Sequence, residues 1–127
     1  MSGMSPQFST YTHPVSNWNY AAAASGIVNT TTAVTIKAAA GVGLRNYLTG
    51  YGVSADALTA ATELVIRDGA GGTVLRRIKL QTTALPAVHV VFNTPIFSSP
   101  NTLLEVATLT ATVTGSVYFN AEGYVGV

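Results

Sequence analysis

The chain has 127 residues, a length that favours a single domain. Charged residues make up 9% of it, against about 25% in a typical soluble domain, and the formal net charge is +1. Nucleic-acid binding usually requires a strong basic excess on one surface, so this near balance argues against such a partner. The absence of cysteine excludes disulfide bonds and thiolate metal sites.

So low a charge leaves the surface poorly protected against self-association. Two explanations are open: partner subunits cover much of the surface, or hydroxyl and amide groups take the place of charges. Both favour a component of an assembly over a free monomer. The N-terminal residues lack the basic and apolar segments of a signal peptide, and no apolar run approaches the roughly 18 residues that span a membrane. We therefore expect a soluble product made in a cytoplasm, with no membrane partner.

The first 17 residues carry Ser, Thr, Pro and Gln without sustained periodicity. We predict an extended arm at residues 1–17 and a folded domain at residues 18–127, and disorder is the alternative for the arm. Because aromatic side chains gain most from burial at interfaces, those in and just after the arm are predicted to anchor it on another subunit. These residues are Phe8, Tyr11, Trp18 and Tyr20.

Residues 44–53 alternate as a strand, with Tyr47 and Tyr51 on one face and Gly50 and Gly52 on the other. The two tyrosines are further candidate contacts with a partner. Glycines inside a strand often mark a bulge or a place where another backbone comes close.

Residues 63–80 give the clearest pattern, two runs rich in Val, Ile and Leu on either side of the glycine-rich stretch 68–72. This pattern predicts a β-hairpin. The glycines also suggest a phosphate-binding loop, but strand-like residues follow them, and the Lys-Ser or Lys-Thr pair of such loops is missing. We therefore predict an ordinary turn.

Arg76 and Arg77 lie next to each other in the second run, so alternation directs them to opposite sides of the sheet. One of them then requires either a buried carboxylate or a subunit interface. Glu105 is our candidate for the carboxylate, and both arginines join the candidate contact residues.

Further strands are predicted at residues 87–92, 103–109 and 117–122. The middle one is apolar on both faces apart from Glu105, which predicts that it is covered on both sides. Seven or eight short strands at a spacing of about ten residues, with no convincing helix, predict an all-β fold, a single antiparallel β-sandwich. We prefer a jelly-roll order, with an immunoglobulin-like order as the alternative.

We predict no catalytic, metal-binding or cofactor-binding residues. His89 lies in a strand interior with no second histidine or carboxylate two residues away, and no Gly-x-Ser-x-Gly motif is present. Carbohydrate binding is the alternative interpretation of the aromatic residues, since sandwiches host lectins and aromatic rings can stack on sugars. It would use Trp18, Tyr20, Tyr47 and Tyr51.

Four phrases of the sequence are distinctive when taken together. They are NTTTAVTIKAA at residues 29–39, ATELVIRDG at 61–69, NTLLEV at 101–106 and VYFNAEGY at 117–124. In these phrases the chain resembles small virion proteins of tailed bacteriophages that are thought to decorate or cement the capsid. The resemblance covers about residues 26–127 and leaves the arm unmatched.

The resemblance implies a β-sandwich or jelly-roll protein on the outer surface of the assembled head, commonly a trimer that bridges neighbouring capsomers, and no cofactor. We therefore expect a non-enzymatic decoration protein whose partners are other copies of itself and the major capsid protein. The alternative is a tail-associated receptor- or carbohydrate-binding module. No functional residues carry over from the resemblance, because the matched positions shape the fold.

Overall fold

The computed structural model describes residues 16–28 and 31–127, which fold into two antiparallel sheets. Most of the predicted arm, including Phe8 and Tyr11, lies outside these residues. No helix in the described part of the chain is long and apolar enough to cross a membrane. The strands are β1 (Asn17–Tyr20), β2 (Ile27–Val28), β3 (Val34–Lys37), β4 (Arg45–Ala55), β5 (Thr62–Asp68), β6 (Thr73–Leu80), β7 (Leu85–Phe97), β8 (Leu104–Thr108) and β9 (Ser116–Gly126).

The strands form two sheets in which few chain neighbours pair. In sheet A the order is β1-β9-β4-β7, with β2 also paired to β9, and in sheet B the order is β3-β8-β5-β6. Among the described strands, only β5 and β6 are both consecutive in the chain and hydrogen-bonded to each other. The predicted all-β antiparallel sandwich is confirmed, while the choice between jelly-roll and immunoglobulin-like order stays a prediction.

The core lies between the sheets and is filled by alternate side chains of each strand. Val117, Phe119 and Ala121 of β9 are at most 4% exposed, and they belong to one cluster with the fully buried Leu64 and Ile66 of β5. All the residues of β8 are buried as well, as predicted for this strand, although Leu109, inside the predicted bounds, is 46% exposed. Burial of apolar side chains from both sheets is the main stabilising contribution of such a sandwich.

A β-bulge in β4 changes which of its side chains share a face. The register against both neighbouring strands shifts between Leu48 and Gly50. Leu48 and Val53 are both buried although they lie an odd number of residues apart, which strict alternation does not allow. The prediction that Tyr47 and Tyr51 share a face is therefore wrong. Tyr47 lies on the outer side of the sheet, and Tyr51 packs against the core.

The hairpin predicted at residues 63–80 is confirmed as β5 and β6, and it also contains a bulge. Ile66 pairs with Arg76, and the next residue of β5, Arg67, pairs with Val74. Leu75 is therefore left without a cross-strand partner. Leu75 and Ile78 both pack against the core, so the inward face of β6 changes parity at this point. Alternation alone therefore gives the wrong direction for side chains on one side of the bulge.

Glu105 is the centre of a buried ion pair. It lies on β8 directly opposite Arg67 of β5, is 4% exposed, and its Oε2 contacts Arg67 Nε and Nη2, both at 2.7 Å. The same oxygen accepts the backbone N–H of Gly71 at 2.9 Å, in the turn between β5 and β6. The prediction that Glu105 serves Arg76 or Arg77 is wrong, because Arg67 is the arginine that faces it across the strands.

Polar contacts join three loops at the same end of the sandwich. Asn46 of β4 is fully buried; its N–H donates to Ser98 Oγ at 3.0 Å, and Ser98 N–H donates back to the Asn46 carbonyl at 2.9 Å. The Asn46 side-chain Nδ2 donates to two loop carbonyl oxygens, at 2.9 and 3.2 Å. Ser99 donates from its N–H and its hydroxyl to the two carboxylate oxygens of Asp68, at 2.8 and 2.7 Å. The hairpin turn is thus fixed to the loop between β7 and β8.

We expect Glu105→Gln to lower the free energy of unfolding by about 3 kcal/mol, because the largely buried Arg67 guanidinium loses its anion. The matched control is Glu63→Gln. Glu63 contacts Arg77 at 2.8 Å, but that arginine side chain is 57% exposed. The control should therefore lose less than about 1 kcal/mol. Urea unfolding measures both variants, and equal losses would contradict the assignment of Glu105 as a buried partner.

Candidate functional site

The outer face of sheet A, the side turned away from the core, brings aromatic, amide and carboxylate side chains close together. The pairing of β4 with β7 and of β9 with β1 and β4 places these side chains next to one another across the strands. This surface is the candidate functional site. Its principal residues are Asn17, Asn19, Tyr47, Thr49, Gly50, Gly52, His89, Val91, Phe97, Glu122 and Tyr124.

An aromatic cluster of Tyr47, Phe97 and Tyr124 occupies one end of this face. The rings of Tyr47 and Tyr124 are stacked, with centroids 4.7 Å apart and planes inclined by 3°. Phe97 lies 5.5 Å from Tyr47 between centroids, and the Arg45 guanidinium lies 5.0 Å from the Phe97 ring centroid. The Tyr47 hydroxyl donates to the Val127 carbonyl oxygen at 2.6 Å, which fixes the ring. A held stack of this kind presents a rigid aromatic surface.

Sequence reasoning named Tyr47 but missed its two partners. The alternation of β9 places Tyr124 on the outward side, so its direction was available from the sequence. Its position beside Tyr47 was not, because that depends on β4 and β9 being neighbours, and spacing along the chain does not give strand order.

His89 and Glu122 meet across an intervening strand. His89 Nε2 lies 3.3 Å from Glu122 Oε1, although His89 is on β7, Glu122 is on β9, and β4 runs between them. The register places Gly50 opposite Glu122, and Gly52 opposite His89, so no side chain of β4 stands between the two groups. The sequence search for a carboxylate two residues from His89 missed this pair, and the two glycines were the signal for it. Both side chains are well exposed, so the pair adds little stability.

A hollow of about 400 Å³ lies on the other side of Tyr124, toward β1. Its walls combine two aromatic residues, two amide groups, one threonine hydroxyl and one carboxylate. It is lined by Asn17, Trp18, Asn19, Thr49, Glu122, Gly123 and Tyr124. Thr49 is the residue inserted by the β4 bulge, and its hydroxyl donates to the Glu122 carbonyl at 3.2 Å. The bulge therefore contributes directly to the shape of the hollow.

The sequence-predicted contact residues do not gather on this face. Trp18 belongs to the core cluster and is 9% exposed. Tyr20 and Tyr51 are partly buried against the same core, and the Tyr51 ring lies 5.5 Å from that of Phe119 between centroids. Of these four aromatic candidates, Tyr47 alone lies on the outer face of sheet A. Trp18, Tyr20 and Tyr51 instead pack in or against the core of the monomer.

Arg76 and Arg77 lie on β6, away from this surface. Arg77 pairs with Glu63 on β5, and its side chain is largely exposed. The Arg76 guanidinium lies 5.1 Å from the ring centroid of Phe92, on β7. Because β6 and β7 are edge strands of different sheets, Arg76 connects the two sheets along one open side of the sandwich.

Within residues 16–28 and 31–127, no group of three or more His, Cys, Asp or Glu side chains is placed to hold a metal ion. The outer face of sheet A carries aromatic rings that can stack, and amides, a hydroxyl and a carboxylate that can form hydrogen bonds. Comparison of the chain with protein-family models, curated proteins and solved structures found no match.

The close approach at Gly50 gives a test of the local packing. A Cβ at Gly50 would lie 2.8 Å from the Val90 carbonyl oxygen and 3.2 Å from Glu122 Oε2, so we expect Gly50→Ala to cost about 2 kcal/mol of stability. The matched control is Gly52→Ala, where the nearest atom lies at 3.8 Å, and we expect a change within about 1 kcal/mol. Neither glycine has a positive φ angle, so the comparison isolates the contact.

Thermal and urea unfolding measure the loss of stability in these two variants. The NMR signals of the Glu122 side chain report on the close approach, and they should shift in Gly50→Ala more than in Gly52→Ala. Equal stabilities and equal shifts would contradict the role of Gly50 as the point of close approach.

Proposed function

We propose that the chain is a non-enzymatic structural protein of a phage virion that decorates and stabilises the assembled capsid from its outer surface. It acts as a homo-oligomer, with a trimer as the favoured state, and it bridges subunits of the major capsid protein. The observation that carries this proposal is the uncharged free edge of β7.

β7 is 13 residues long and contains no Asp, Glu, Lys or Arg. Within the described residues it pairs with β4 on one side, and its other edge is free. Three of its large apolar side chains are exposed, Val88 by 43%, Val91 by 66% and Phe97 by 47%. Such a strand departs from the usual protection of sheet edges by charged side chains.

The free edge offers unpaired N–H and C=O groups next to apolar side chains. Pro86 and Pro95 interrupt it near its ends, which leaves residues 87–94 without proline, a length that is ordinary for a paired strand. A second copy of the chain is the occupant we assign to this edge. In a closed ring of three, each β7 edge meets a different surface of the next copy, so the contact is heterologous.

The few charges of the chain are largely used within the monomer. Glu63 contacts Arg77 and Lys79, at 2.8 and 3.8 Å, and Glu122 contacts His89. With a formal net charge of +1, the surface produces no strong long-range field. Contacts with partners therefore depend on shape, apolar surface and hydrogen bonds, as expected for a protein that sits permanently on a lattice.

A protein of this kind stabilises a shell by mass action. Binding to the assembled lattice but not to dissociated subunits lowers the free energy of the assembled state. At a free concentration 100 times the dissociation constant, each occupied site contributes about 2.7 kcal/mol. This role requires an arm and complementary faces, and it makes no demand for a catalytic pocket.

We also infer a jelly-roll order for the sandwich. β1 and β2 pair in turn with the same strand, β9, so they occupy one position that is interrupted by a loop. If β1 and β2 together are counted as strand 1, and β3 to β9 as strands 2 to 8, the two sheets have the strand orders 1-8-3-6 and 2-7-4-5. An immunoglobulin-like order would keep several pairs of consecutive strands within a sheet, whereas among the described strands only β5 and β6 are consecutive and paired. Jelly rolls occur in viral capsid proteins and in lectins, which supports the virion role by analogy of fold.

We expect Val91→Lys to convert the homo-oligomer to monomers, because it places a charge on the free edge of β7. The matched control is Val42→Lys, which makes the same change in the loop between β3 and β4, where the side chain is 91% exposed. Native mass spectrometry measures the oligomeric state, and the melting temperature reports on the fold. If Val91→Lys keeps the native mass, β7 is not the subunit contact.

The arm gives a separate test of capsid binding. Because β1 begins at Asn17, a deletion of residues 1–15 leaves every described strand intact. We expect the truncated protein to fold normally but to bind empty shells at least about tenfold more weakly in co-sedimentation. A full-length variant with Phe8→Ser and Tyr11→Ser separates the loss of the aromatic anchors from the loss of length. Normal occupancy of shells by the truncated protein would contradict a capsid-binding arm.

A further inference from the structure

We propose that the hollow on the outer face of sheet A is a binding site for a neutral saccharide of one or two sugar units. This assignment goes beyond the decorating role, because it gives a ligand to a surface that capsid attachment does not require. It rests on the geometry around Tyr124 and on the charge of the walls, and it does not depend on the oligomeric state.

Tyr124 supplies the stacking surface. On β9 it lies between Tyr47 of β4 and Asn17 of β1, which are its two cross-strand neighbours. Tyr47 covers one face of its ring at a centroid distance of 4.7 Å. The second face is turned toward β1, where the residue lines the hollow. The electron-rich face of an aromatic ring is a favourable surface for the C–H groups of a pyranose ring.

Polar groups surround this ring on the remaining sides. Asn17 and Asn19 are exposed neighbours on the outward side of β1, and each amide offers two donors and one acceptor. The Glu122 carboxylate offers acceptors on the opposite wall, toward β4. A sugar carries hydroxyl groups that both donate and accept, so it can use both kinds of group at once. An apolar ligand would leave these polar groups without partners.

The charge of the hollow selects against acidic sugars. Among the residues that the structure describes, its walls contain one carboxylate, from Glu122, and no Lys, Arg or His. The arginine of this face, Arg45, lies over the Phe97 ring at the far side of the Tyr47–Tyr124 stack. An anionic ligand would therefore be repelled by Glu122 without a compensating cation. A volume of about 400 Å³ is enough for a mono- or disaccharide.

The site is formed before any ligand arrives. Its walls belong to three hydrogen-bonded strands, β1, β9 and β4, and the Tyr124 ring is held by Tyr47, whose own hydroxyl is hydrogen-bonded to Val127. Side chains that are already ordered lose little entropy on binding, which favours measurable affinity from a small ligand.

NMR titration of the full-length ¹⁵N-labelled protein tests the assignment. The probes are the methyl glycosides of galactose, mannose, glucose and N-acetylglucosamine, with lactose and cellobiose as disaccharides, each up to about 50 mM, far above the ~1 mM dissociation constant of a weak single site. Galacturonate and sialyllactose are the anionic controls. We expect at least one neutral probe to shift the signals of Asn17, Asn19 and Tyr124, and the anionic probes to bind at least about tenfold more weakly.

Two variants locate the binding energy. Tyr124→Leu keeps apolar packing against Tyr47 but removes the ring, and it should weaken binding about tenfold or more. The matched control is Tyr118→Leu, the same change on the same strand and the same outward side, opposite Ser54 and away from the hollow; it should leave affinity unchanged. Asn19→Ala, at an exposed position, should weaken binding about threefold or more and avoids any dependence on the packing of Tyr124.

The assignment is overturned if none of the neutral probes shifts these signals, if the anionic probes bind equally well, or if both Tyr124→Leu and Asn19→Ala bind like the native protein. Melting temperatures identify any variant that is unfolded; the folded variant then decides. Attachment to shells is measured separately by co-sedimentation, so loss of the saccharide site leaves the decorating role standing.

Discussion

The contact between Glu105 and Arg67 is the constraint on which the organisation of one end of the sandwich depends. A carboxylate that is 4% exposed requires a cation and further donors, and here one oxygen receives both the guanidinium and the backbone N–H of Gly71. The ion pair therefore joins β8 to β5 and also fixes the glycine-rich turn that follows β5. That turn presents Asp68 to Ser99, so the loop between β7 and β8 takes its position from the same pair.

The loop between β7 and β8 also contacts β4 next to the aromatic cluster on the outer face of sheet A. Ser98, next to Ser99, exchanges hydrogen bonds with the backbone of the buried Asn46 near the start of β4. Asn46 is adjacent to Tyr47, the ring that holds Tyr124. Hydrogen bonds and short lengths of backbone between them thus connect the buried ion pair to the aromatic cluster on the outer face of sheet A. The glycine-rich turn resembles a phosphate loop in the sequence, but in the structure the Gly71 N–H donates to the carboxylate of Glu105.

Most of the fold could be predicted from the sequence, because the alternation of apolar and polar residues directly reflects the two faces of a strand. It correctly gave the hairpin, the burial of β8 and a last strand at residues 117–122, which lies within β9. It failed at the two bulges, where one inserted residue reverses the alternation. Thr49 in β4 thereby places Tyr47 and Tyr51 on opposite faces, and Leu75 has the same effect on the side chains of β6. It also failed wherever a partner depends on strand order. Glu105 was assigned to the wrong arginine, and the contacts of Glu122 and Tyr124 were missed, because their partners are brought close only by folding.

Gly50 and Gly52 of β4 bring side chains of the two neighbouring strands, β7 and β9, into contact. Because neither has a side chain, His89 of β7 and Glu122 of β9 can make contact across β4. Glu122 therefore contacts the edge strand β7 and also lines the hollow. One pair of side chains, Glu122 and His89, thus links the edge strand β7 to the wall of the hollow across three strands of sheet A.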